Sequence, residues 1–123
     1  MFSNAGRVWI RPLAALNLSL TLFRYMLRPM KATIVGLISP HVLRVMDLAK
    51  QAEAGANVDW HLRDTVAKTI GDLGHQYNAR ELLSAYIQGL QAAADDAGRV
   101  RKAYADALQA AAAIAERDLK NRD

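Results

Sequence analysis

The clearest pattern in the chain is a spacing of apolar residues in its last third. After Asn78, apolar positions recur at alternating steps of four and three residues, which is the 3.5-residue period of helices that pack side by side. Asn78 and Glu81 match a capping box at its start. The pattern predicts one helix over residues 79–118, about 60 Å long. Its predicted association seam comprises Tyr86, Leu90, Ala93, Ala97, Val100, Tyr104, Ala107, Ala111 and Ile114.

The length of this predicted helix bears on the oligomeric state. A compact fold of 123 residues has a radius of gyration of about 14 Å, so shorter helices of the same chain would cover only part of the seam. We therefore expect the rest to pack against a second copy, in a homo-oligomer, or against a larger protein assembly. The alternative is packing of the seam inside a single bundle.

Two shorter amphipathic helices precede the long one. Ser39, followed by a proline, predicts the N-cap of a helix over residues 40–53. Asp59 predicts the cap of another helix over residues 59–73. The segment 31–38 fits either a helix or an extended strand.

A further helical pattern near the N-terminus is apolar around most of its circumference. It extends from about Leu13 to Arg28 and ends at Pro29. Its polar residues, Asn17, Thr21, Arg24 and Arg28, share one narrow stripe. A helix with so wide an apolar surface is buried in a core, in a partner or in a lipid interface.

These patterns together define the expected fold class. The chain has only three prolines and seven glycines, and strand-like alternation of polar and apolar residues is scarce. The sequence predicts an all-α protein with three shorter helices and one long C-terminal alanine-rich helix, in a bundle or partly a coiled coil. We expect a basic apolar head segment over residues 1–40 and a helical bundle over residues 41–123.

Charge divides the chain unevenly. The first 46 residues contain six basic and no acidic residues, whereas the rest contains ten basic against twelve acidic ones. A cationic and apolar head is expected to dock on an apolar, anionic surface, either a membrane or a groove on a partner protein. An ordinary core helix would explain the leucines but not the missing acids. The expected interface comprises Trp9, Leu16, Phe23, Arg24, Tyr25, Met26, Leu27, Arg28 and Lys31.

The N-terminal region also bears on localisation. Two arginines precede the uncharged run 12–23, as in a signal peptide, but Arg24 follows the run where a small-residue cleavage site would be needed. The run is also shorter than the roughly 20 residues of a membrane-spanning helix. We expect a cytoplasmic or membrane-associated protein that is not secreted through a cleavable signal. The chain has no cysteine, which excludes disulfides.

No motif in the sequence indicates catalysis. His41, His61 and His75 have no metal-ligand spacing, and no glycine-rich phosphate loop is present. The sequence therefore predicts no catalytic, cofactor-binding or metal-binding residues. A short basic cluster, Arg99, Arg101 and Lys102, is flanked by aspartates, so nucleic acid is a less favoured partner.

These observations favour a non-enzymatic interaction protein. The expected role is an oligomeric subunit or adaptor of a larger bacterial or viral assembly, docked through the cationic apolar N-terminal helix. The alternative is a small regulatory or inhibitory protein that binds one macromolecular target, protein or nucleic acid, through Arg24, Arg28 and the basic cluster at 99–102.

Overall fold

The computed structural model describes residues 31–122, which form four α-helices and no strand. The helices are α1 (Ala32–Glu53), α2 (Asp59–Gly74), α3 (Ala79–Ala97) and α4 (Lys102–Asn121). The predicted all-α class is confirmed. The helix expected between Leu13 and Arg28 lies outside the described residues.

Helix α1 begins earlier than the sequence predicts. It continues through Pro40, although an internal proline removes one backbone hydrogen bond and costs about 3 kcal/mol. Ile34, Val35 and Ile38 are buried in the core, and their burial offsets that cost. Ser39 is therefore not an N-cap, since its hydroxyl donates to the Val35 carbonyl within the helix. The segment 31–38 is helical from Ala32 onward, so the expected boundary at residue 40 falls inside α1.

Helix α2 matches its predicted bounds within one residue. Its start is capped differently from the prediction, because the Asn57 side-chain oxygen accepts a hydrogen bond from the Asp59 backbone amide at 3.2 Å. Leu62, Val66 and Leu73 form its buried stripe. These buried side chains pack α2 against the rest of the bundle.

The single helix predicted over residues 79–118 is instead two helices, α3 and α4. The break lies at Gly98, which has φ +61° and ψ −157° and follows the last turn of α3. Residues with a Cβ rarely adopt positive φ, whereas glycine does so at little cost. Asp95 and Asp96 also place negative charge in the last turn of α3, where the helix dipole disfavours it. The apolar spacing continues through the break, so periodicity alone does not show it.

The four helices form an antiparallel bundle. Helices α3 and α4 pack against each other most extensively, and α1 packs on both. Glu53 at the end of α1 pairs with Arg101 before α4, whereas Arg122 packs against Gly74 at the opposite end. We call the first of these the far end. The second, where Lys31 begins the described chain, is the base end.

A glycine pair tests the break between α3 and α4. Gly98→Ala is expected to lower the free energy of unfolding by about 1–2 kcal/mol, because alanine is strained at positive φ. Gly71→Ala, in α2 with open space around its Cβ position, is expected to raise that free energy by up to about 1 kcal/mol. Urea unfolding followed by circular dichroism measures both. Equal effects of the two substitutions would contradict the assigned break.

Candidate docking surface

The predicted association seam is filled within one chain. Tyr86, Leu90, Ala93, Tyr104, Ala107 and Ala111 are buried in the core, and Ala97 and Ile114 are partly buried against it. Val100 differs, since it lies between α3 and α4 and is 96% exposed. The seam therefore joins α3 to α4 in a hairpin. Association with a second copy would need another surface.

Most of the predicted head interface lies outside the described residues. This holds for Trp9, Leu16, Phe23, Arg24, Tyr25, Met26, Leu27 and Arg28. Lys31 is described and is exposed at the start of α1. From here on the name head is kept for residues 1–31, which precede α1 in the chain.

The first half of α1 presents an exposed, uncharged strip. Thr33, Gly36, Leu37 and Pro40 are all exposed, and their spacing places them on one side of the helix. Leu37 is 54% exposed. We call these four residues the outer face of α1. Beyond Leu43 this side of the helix carries charge, beginning with Arg44.

Helix α1 is also apolar enough for a membrane. Among the described residues it is the one helix whose length and composition would allow it to cross a bilayer, with a mean hydropathy of 1.3 in its best window. A helix in the core of a soluble protein can have the same length and composition. About 39% of this apolar stretch is buried inside the bundle, and the exposed remainder includes Leu37 and Pro40.

Two open depressions lie on the surface of the bundle. One, of about 530 Å³, runs between α1 and α2 and is lined by Pro40, Leu43, Arg44, Asp47, Leu48 and Thr65. The other, of about 340 Å³, lies between α3 and α4. It is polar, with the Gln91 amide donating to the Glu116 carboxylate at 2.9 Å. Both depressions are open to solvent.

The base end combines an exposed aromatic ring with cations. Tyr77 is 100% exposed in the loop between α2 and α3. Lys31 and Lys120 are exposed at the same end, and Arg122 pairs with Asp118 at 3.0 Å. Asp72 and Glu81 are exposed near this end as well. An exposed tyrosine ring is favourable at the boundary between an apolar and a polar medium.

The basic cluster at the far end is engaged within the chain. Arg101 donates two hydrogen bonds to the Glu53 carboxylate, both at 2.8 Å. Its guanidinium also lies 3.8 Å from the centre of the Tyr104 ring. The hydrogen bonds from Arg101 lower the pKa of Glu53 below its usual value. Arg99 and Lys102 remain exposed, so the predicted cluster of three cations is reduced to two.

A buried polar link crosses the core, and sequence reasoning missed it. The Thr69 hydroxyl donates to the Thr65 carbonyl at 3.1 Å and lies 3.4 Å from His41 Nδ1. The Tyr86 hydroxyl is buried without a well-formed hydrogen bond to any described residue. Burial raises the pKa of Tyr86 to about 12, and the nearby Thr69 hydroxyl offsets part of that rise. The only sequence clue is that Thr69 follows Leu62 and Val66 on the buried side of α2.

The other histidines lie apart from this link. The His61 ring contacts the edge of Trp60 with the ring centres 5.3 Å apart, and both side chains are exposed. His75 is exposed in the loop after α2. Within residues 31–122, no group of three or more histidine, cysteine, aspartate or glutamate residues is placed to hold a metal ion.

The half-buried His41 predicts acid sensitivity. Burial lowers its pKa below 6.5, Arg44 lowers it further, and Asp72 raises it. The unfolded chain therefore binds a proton at a higher pH than the folded chain does, so stability is lost as pH falls through about 6.5. The free energy of unfolding is expected to fall between pH 7 and pH 5, and less so in His41→Gln. Urea titrations at both pH values test this; an equal fall in both proteins would contradict it.

Comparison with known proteins adds no relative: no family model, curated protein or solved structure matches the chain. Its function is therefore argued from its own residues.

Proposed function

We propose that this chain is a non-enzymatic helical interaction protein. In this proposal it is a subunit or adaptor of a larger bacterial or viral assembly. It docks through its cationic apolar N-terminal segment onto a protein partner or a membrane surface. The observation that carries the proposal is the acid-free run of 46 residues, which continues from the head onto the uncharged outer face of α1.

The architecture of the bundle supports this role. Its core is closed by α3 folding back on α4, so the described helices can act as a self-contained scaffold. The head precedes α1 at Lys31, at the end of the bundle where Tyr77 and Lys120 are also exposed. Positive charge and the uncharged outer face therefore adjoin along the chain at the start of α1, which suits docking on an apolar, anionic surface.

The regulatory alternative receives less support. It relies in part on Arg99, Arg101 and Lys102 as contacts to a target. Arg101 is held by Glu53 and Tyr104, so using it would first break two charge-assisted hydrogen bonds. Asp95 and Asp96 are exposed nearby in the chain and weaken the field that a phosphate would experience.

Two matched charge reversals in the full chain test the proposal. Arg24→Glu with Arg28→Glu changes the head, and Arg99→Glu with Lys102→Glu changes the far end by the same charge. The binding of each variant to phosphatidylserine-containing vesicles and to duplex DNA is measured. Self-association is measured by light scattering. Because each cation near an anionic membrane contributes about 1 kcal/mol, loss of two cations is expected to weaken vesicle binding at least about 30-fold. If the head docks on protein instead, the same reversal is expected to weaken self-association. The far-end reversal should change neither.

The opposite pattern would favour the alternative. In that pattern the far-end reversal abolishes DNA binding, and the head reversal leaves vesicle binding and self-association unchanged. This result would overturn the proposed docking role.

A further inference from the structure

We infer that the outer face of α1 forms a second contact surface, and that its partner is an anionic lipid membrane. This inference rests on the proposed function and extends it from the head to the bundle itself. The surface consists of Thr33, Gly36, Leu37 and Pro40, bordered by Lys31.

The dimensions of the strip suit shallow insertion. No charged residue occurs between Ala32 and Leu43, which at helical rise is about 17 Å. Within this stretch the outer face is exposed, and Leu37 supplies its largest apolar side chain. Arg44 and Asp47 then continue the same side of α1 and are exposed. The change from apolar to charged residues sets a limit to the depth at which this face can be buried.

The strip is continuous with the head in sequence. Lys31 directly precedes α1 and follows Arg28 by three residues, so a membrane contact at Arg28 would keep Lys31 within about 10 Å of that surface. The exposed Leu37 and Pro40 of the outer face then face the lipid. Attachment at two adjoining places raises the total affinity, because the second contact is made at high effective concentration.

Charge and aromatic content favour a membrane over a protein groove. Lys31 is exposed at the start of the strip, and Lys120 and Tyr77 are exposed at the same end of the bundle. Anionic head groups pair with the lysines, and a tyrosine ring is favourable at the lipid–water boundary. The strip itself carries no acidic residue that could pair with the lysines of a second copy.

A gain-of-function pair of glycine substitutions tests the inference in the full chain. Gly36 and Gly71 are both exposed helical residues with no atom within 4 Å of an added Cβ, so a leucine fits at either. Gly36→Leu is expected to raise the affinity for phosphatidylserine-containing vesicles by about tenfold, since it adds apolar area to the membrane face. Gly71→Leu, on α2, should leave that affinity unchanged.

A loss-of-function pair uses exposed residues at the two ends. Leu37→Asp is expected to weaken vesicle binding by about tenfold or more, through lost apolar contact and added negative charge. Val100→Asp makes a comparable change at the far end, on a side chain that is 96% exposed, and should have no effect. Circular dichroism of each variant checks that the bundle remains folded.

The outcomes separate this inference from the proposed function. If the head reversal abolishes vesicle binding while Gly36→Leu behaves as Gly71→Leu does, the head docks alone and the second surface is refuted. If the chain ignores vesicles but self-associates through its head, the membrane inference is overturned and the proposed subunit role stands. Both glycine variants binding more tightly would also overturn the inference, since a general gain in helix stability would then explain it.

Discussion

A Leu90→Asp chain is expected to be unfolded at room temperature. Leu90 is completely buried in α3, within the core between the helices. Truncation of a buried leucine alone costs about 2–5 kcal/mol, and an unpaired buried carboxylate adds several more. The sum approaches or exceeds the total stability of a small domain, about 5–15 kcal/mol. Circular dichroism should show loss of most helical signal.

Val100→Asp is the matched control for this prediction. Both residues belong to the same sequence-predicted seam, but Val100 is 96% exposed. Its substitution is expected to change the free energy of unfolding by less than about 0.5 kcal/mol. In a single long helix packed against a second copy, both substitutions would instead dissociate an oligomer. A folded Leu90→Asp monomer would contradict the α3–α4 core.

Phe23→Asp is expected to release the head from its docking surface. The substitution removes a large apolar side chain and places the first carboxylate within a segment that otherwise has none before Asp47. Loss of aromatic burial costs about 2–3 kcal/mol, and repulsion by an anionic surface adds about 1 kcal/mol. Affinity for phosphatidylserine-containing vesicles should fall at least about 100-fold.

Trp60→Asp is the control for an aromatic residue elsewhere. Trp60 is 69% exposed at the far end, so its replacement should leave vesicle binding and helical content unchanged. An equal loss of binding in both variants would show that net charge, not the head, determines docking. Unchanged binding in Phe23→Asp would show that the head does not make an apolar contact.

The sequence predicts helix positions well wherever a residue has one dominant local role. The end of α1 near Glu53 and the end of α2 at Gly74 lie where glycines predict them, and α2 begins within one residue of its predicted start. The start of α1 was missed because a Ser-Pro pair is typical of a helix start. The burial of Ile34, Val35 and Ile38 outweighs that local preference, and tertiary packing of this kind is absent from sequence patterns.

The seam shows a different limit of sequence reasoning. Apolar spacing identifies which residues are buried, but an interchain coiled coil and an intrachain hairpin share that spacing. The choice between coiled coil and hairpin depends on Gly98. A glycine can also lie inside a continuous helix, at a cost of about 1 kcal/mol. Only the observed positive φ decides between the two. The exposed Val100 lies at the corner of the hairpin, where the apolar spacing no longer indicates which residues are buried.

One part of the docking surface is predictable from the sequence, and the other part requires the structure. The acid-free head and Lys31 are visible in sequence, whereas the outer face of α1 emerges only once its buried side is known. The same holds for the contact between His41 and Thr69, whose positions are 28 residues apart. Engagement of Arg101 by Glu53 likewise required the two ends of distant helices to meet.

Light scattering after size exclusion, with the chain alone and with phosphatidylserine-containing or neutral vesicles, tests the central claim most directly. The claim is that the acid-free N-terminal segment makes this chain a docking protein. We expect the chain to co-elute with anionic vesicles and not with neutral ones. A defined oligomer that ignores both vesicles would retain the subunit role and overturn the membrane inference. A stable monomer at all concentrations, without affinity for either vesicle, would contradict the claim.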